Sequence, residues 1–81
     1  MSGPIKTGTI AKIDPESQTG FILSDDDEDL IYFALDDVLK DIGLGVAQPG
    51  QLVQFSQEAD PSARPVAKRV VVMAAKAYKF K

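Results

Sequence analysis

The chain has no cysteine, no histidine and no tryptophan among its 81 residues. Without the first two, disulfide staples, the usual zinc ligand sets, thiol nucleophiles and imidazole acid-base chemistry are excluded. No apolar run approaches the roughly 20 residues of a membrane-spanning helix, and the opening "MSGPIKTGTI" lacks the apolar region of a secretory leader. A glycine loop able to cradle nucleotide phosphates is missing too. Asp25, Asp27 and Asp29 have the alternating spacing of calcium ligands, but Leu30 stands where an EF-hand loop needs glycine. The expectation is one small cytoplasmic domain without enzymatic activity, cofactor, metal or membrane partner, near the lower size at which a single core holds a fold.

What is present is unevenly spread. The net charge is -3, yet residues 1 to 61 hold all 12 acids against Lys6, Lys12 and Lys40. Residues 62 to 81 carry Arg64, Lys68, Arg69, Lys76, Lys79 and Lys81 and no acid. Such polarity steers an anionic partner to one edge, or is merely a solvated surface with a basic tail.

Short β-prone runs alternate with turn signals. Residues 5–13, "IKTGTIAKI", read as a strand that Gly8 bends or brings close to another backbone. "DPESQ" makes a turn, and "TGFILS" (19–24) and "LIYFA" (30–34) form a hairpin whose tip is the acidic run at 25–29. These acids keep the tip solvated and guard two aggregation-prone strands. Leu35, Val38, Leu39 and Ile42 are spaced for a turn or two of helix before the glycines break it. Residues 51–59 and 66–73 complete five strands, separated by the breaker-rich "DPSARP". Five short strands favour a closed antiparallel barrel, because closure removes edges that a tiny sheet cannot hide. Ile10, Ile22, Ile31, Phe33, Val53, Phe55 and Val70 are its expected core, with Thr19, Phe21, Tyr32 and Ala34 on the opposite, outward side.

The order of these pieces resembles the cold-shock domain, a five-stranded OB-fold barrel that binds single-stranded RNA and DNA. "GTIAKID" (8–14) is similar to the family opening G-T-V-K-W-F-N, and "TGFI" (19–22) to the end of its first ribonucleoprotein motif, K-G-F-G-F-I. "IYFALDDV" (31–38) resembles the second motif, V-F-V-H-F-S-A-I. "PGQLVQF" (49–55) looks like the start of the fourth strand, and "PVAKRVVVM" (65–73) like the closing P-Q-A-A-N-V-R-P-L. The likeness runs from about residue 5 to 73, which makes 1–73 the barrel and 74–81 a basic tail.

The resemblance implies a nucleic-acid face of Lys6, Lys12, Thr19, Phe21, Tyr32, Lys68 and Arg69, with most of its stacking rings replaced. Lys12 stands at the family's tryptophan position, Ile13 and Thr19 at phenylalanine positions, Ala34 at the histidine and Leu35 at a further phenylalanine. Only Phe21 and Tyr32 keep rings. Two rings supply about 2 to 6 kcal/mol of stacking, against about 8 kcal/mol for micromolar affinity. Binding of single-stranded RNA or DNA is therefore expected to be weak and to lean on salt-sensitive phosphate contacts. A regulatory protein-protein interaction module on the same barrel stays open, since the fold hosts many functions. The tail "AAKAYKFK" interleaves lysines with Tyr78 and Phe80, a pattern that suits an added platform or a frayed end.

Overall fold

Five strands follow one another as β1 (Ile5–Asp14), β2 (Thr19–Ser24), β3 (Leu30–Ala34), β4 (Leu52–Ala59) and β5 (Pro65–Ala74). They close into a barrel in the order β1-β2-β3-β5-β4, consistent with an OB-fold-like barrel. The computed structural model describes residues 5–26, 29–43, 46–62 and 64–74. Asp27 and Glu28 of the acidic tip, and tail residues 75–81, lie outside them. Among the described residues no helix is long and apolar enough to cross a membrane.

β1 pairs with β2 on one side and with β4 on the other, and so closes the barrel. At Gly8 it passes close to β2. A Cβ there would stand 2.5 Å from the Leu23 carbonyl oxygen and 2.7 Å from Ile22 Cγ2, so only glycine fits without movement of the backbone.

All neighbours are antiparallel except β3 and β5, which meet in parallel at Tyr32 and Val66. This corrects the expectation of a purely antiparallel barrel. Up and down cannot alternate around a ring with an odd number of strands, so at least one seam must be parallel.

Residues 35–42 bear out the shorter form of the helical expectation. One turn forms, a 3-10 turn at Leu35–Asp37, and it ends at Val38, whose backbone is extended. Val38 forms a parallel bridge with Val70, and the Leu39 N–H donates to the Val70 carbonyl over 2.8 Å. The helical spacing of Leu35, Val38 and Leu39 is outweighed by backbone partners on β5, with Val38 buried in the core.

Alternation, broken at a few bulges, fills the interior. Ile22, Ile31, Phe33, Val53 and Phe55 point inward with Ile10, Val70 and Val72, and each is 1% exposed or less. All seven expected core residues are buried together, joined by Val38, Ala67 and Val72.

Candidate nucleic-acid interface

The outward face of β2 and β3 begins with a displaced residue in β1. Ile10 opposes Ile22, but Lys12 opposes Phe21, so Ala11 is an extra residue in a β-bulge. Plain alternation from buried Ile10 would aim Lys12 inward. The bulge reverses that and sets Lys12 in the row of Phe21.

Phe21 in turn opposes Tyr32, and Tyr32 opposes Val66. The two rings meet edge to face, with centroids 5.9 Å apart and planes at 69°. Phe21 is 37% exposed, and Tyr32 is half-buried. The reason is Arg64, whose guanidinium carbon lies 4.5 Å above the centre of the tyrosine ring. Across three strands the surface therefore reads cation, ring, ring, cation: Lys12, Phe21, Tyr32 and Arg64.

Arg64 is held on two sides. Its Nε and Nη2 each lie 3.1 Å from Asp60 Oδ2, while the ring of Tyr32 supports one face of the plane. Asp60 organises the whole β4–β5 turn: its Oδ1 accepts from the N–H groups of Ser62 and Arg64 and from the Ser62 hydroxyl. The Ser62 hydroxyl does most to lower the Asp60 pKa. Partial desolvation opposes it, and the two N–H groups and the Arg64 charge push the pKa down further. A depressed carboxylate pKa adds stability above its unfolded value, and that stability is lost as pH falls through the folded value. Asp60→Asn should thus flatten the loss of stability on acidification through the carboxylate range, measured by urea unfolding at a series of pH values. An unchanged acid limb would mean that the turn draws nothing from the charge.

Of the seven residues proposed from sequence, the fold brings four together. Lys12, Phe21 and Tyr32 share the row, and Thr19 lies on the same outward face, between Asp14 and Ala34. The Thr19 hydroxyl is 2.6 Å from that of Ser17, which donates to Asp14 over 3.0 Å, so Thr19 is tied into the hairpin turn. Lys68 stands at the margin, two residues beyond Val66, and its ammonium pairs with Asp37 at 3.3 Å. Lys6 opposes Phe55 near the other end of β1. Arg69 lines a separate groove of about 200 Å³ with Ile5, Leu39, Ile42 and Val71.

The backbone at Arg69 is unusual. Its φ of 54° is left-handed, at a break in register between β4 and β5. Such a conformation costs a side-chain-bearing residue about 1 to 2 kcal/mol, part of which glycine returns through its looser unfolded chain. Arg69→Gly is expected to raise stability by about 0.5 to 1 kcal/mol while removing one cation. A loss of stability in thermal or urea unfolding would show that the arginine side chain, packed along the groove, outweighs the strain.

Arg64 was missed in the sequence because "DPSARP" reads as a generic turn. The available signal was an aspartate four residues before an arginine that directly precedes a strand. Among the described residues no group of three or more acids is placed to hold a metal ion. In comparisons with known proteins, no family model matches the chain and no curated protein matches it.

Proposed function

We propose that the barrel binds single-stranded RNA or DNA weakly through the row of Lys12, Phe21, Tyr32 and Arg64. The observation that carries this reading is that row, in which two rings are flanked by cations on one outward face. Phe21 offers a ring to one base. Arg64 offers the plane of its guanidinium to a second, since arginine planes stack bases as rings do. Each platform is worth about 1 to 3 kcal/mol, and Lys12 adds a phosphate contact that salt weakens. Among the described residues Lys12 makes no ion pair, whereas Arg64 and Lys68 are partly neutralised by Asp60 and Asp37. The electrostatic share is therefore small. A cytoplasmic location belongs to the same proposal.

Amide-shift mapping with oligo-dT and oligo-U at low and moderate salt tests it. The expected result is shifts at Lys12, Phe21, Tyr32 and Arg64 that shrink as salt rises. Shifts confined to the groove around Arg69, or none at low salt, would overturn the reading.

A second reading, a regulatory protein-interaction module, is favoured by Leu23 and Leu30. They face each other on the outer side of the hairpin and are 40% and 56% exposed. Base stacking has no need of two leucines, but an apolar partner surface does.

A further inference from the structure

We propose that Glu58 gives the face of Lys12, Phe21, Tyr32 and Arg64 a preference for guanine, its carboxylate accepting hydrogen bonds from the edge of a base stacked on Arg64. This rests on the nucleic-acid reading above and names the base that the face selects. The starting point is strand register. Lys12 opposes Phe21, Phe21 opposes Tyr32, Tyr32 opposes Val66 and Val66 opposes Glu58. The row that begins with a cation and two rings thus continues over β5 and ends on β4 in an acid. Cross-strand partners share a side of the sheet, so Glu58 faces outward with Tyr32, while its neighbour Gln57 is paired with the core residue Ala67.

Arg64 stands beside this acid. The Asp60 N–H donates to the Arg64 carbonyl over 3.0 Å and Ala59 opposes Pro65, which places Arg64 diagonally from Glu58 across β4 and β5. Diagonal partners are about 7 to 8 Å apart, within reach of long side chains. Val66, next to both, has no polar side-chain atom to offer a base. Asp60 has both oxygens engaged, Oδ1 by Ser62 and the Arg64 N–H and Oδ2 by the Arg64 guanidinium. Glu58 is half-buried and makes no ion pair among the described residues, so its acceptors are open to a ligand.

The chemistry of a carboxylate then selects the base. Ionised, it accepts hydrogen bonds and donates none. Phosphates are anionic acceptors themselves, so the backbone of a bound strand is drawn to the Lys12 end of the row and base edges are left to the Glu58 end. Guanine presents two adjacent donors on its pairing edge, N1–H and the N2 amine, spaced for the two oxygens of one carboxylate. Cytosine and adenine offer one amine beside a ring-nitrogen acceptor. Thymine and uracil offer one N–H between two carbonyls, which a carboxylate repels.

Fluorescence titration of short oligo-dT strands at fixed low salt, with the central thymine kept or replaced by guanine, cytosine or adenine, tests this. The guanine strand is expected to bind about 5-fold or more tightly than the all-thymine strand. Glu58→Gln should remove most of that margin and leave the all-thymine strand bound at least as tightly as before, since one negative charge is gone from the face. A parent that ranks the four strands equally would overturn the proposal and leave the nucleic-acid reading standing. So would a Glu58→Gln variant that weakens all four strands alike, which would make the residue structural. Failure of every strand to bind would overturn both readings together.

Discussion

Replacing Phe33 by alanine should remove a large share of the stability of this barrel. The ring is 1% exposed and fills the interior opposite Gly20, and truncating a buried phenylalanine costs about 3 to 5 kcal/mol. A small domain holds only about 5 to 15 kcal/mol in all. The fit is tight from the other side as well. A Cβ at Gly20 would stand 2.8 Å from Phe33 Cε1 and 2.6 Å from the Lys12 carbonyl oxygen, and the latter, being backbone, cannot swing away. Gly20→Ala should therefore be destabilising too, while Phe21→Ala, one residue along and outward, should leave the fold nearly unchanged. Urea unfolding of the three variants gives the ranking. A Phe33→Ala loss below about 1.5 kcal/mol would mean that the site collapses easily and that the barrel is held elsewhere.

That contrast between neighbours was legible in the sequence, because "TGFILS" and "LIYFA" alternate without interruption and each sorts its residues into two faces. The strand spans 19–24 and 30–34 are as read, and so are the seven core residues. What alternation alone failed to show was set by partner strands. The outward position of Lys12 was expected only from the resemblance, since it depends on a bulge at Ala11 that alternation within β1 cannot reveal. The parallel seam follows from the number of strands in the ring, a property of no single segment. Leu35 to Ile42 has a helical period, but Val38 and Leu39 bind a strand more than 30 residues away, which no local pattern encodes. Arg64 became visible as part of the face only when the turn folded it over Tyr32. In each case the local preference was weak and a distant backbone or ring decided the outcome.

Phe21→Ala is expected to weaken oligonucleotide binding by about 1 to 3 kcal/mol, or roughly 5- to 150-fold, with the fold intact. The ring is the most exposed aromatic of the row and is supported edge-on by Tyr32, so removing it deletes a platform without opening the core. Arg64 separates stacking from charge. Arg64→Lys keeps the cation but loses the plane over Tyr32, and should cost nearly as much affinity as Arg64→Ala if a base stacks there. If the guanidinium serves only as a charge, the lysine variant should bind like the parent. Lys12→Gln should behave differently again, lowering affinity for all sequences alike and reducing the salt slope by about one phosphate contact. Fluorescence titrations with oligo-dT at several salt concentrations distinguish these patterns. Affinity that is unmoved by Phe21→Ala and by both Arg64 variants would remove nucleic acid from this face. It would leave the exposed ridge of Phe21, Leu23 and Leu30 to a protein partner, whose binding the same Phe21→Ala variant should then weaken.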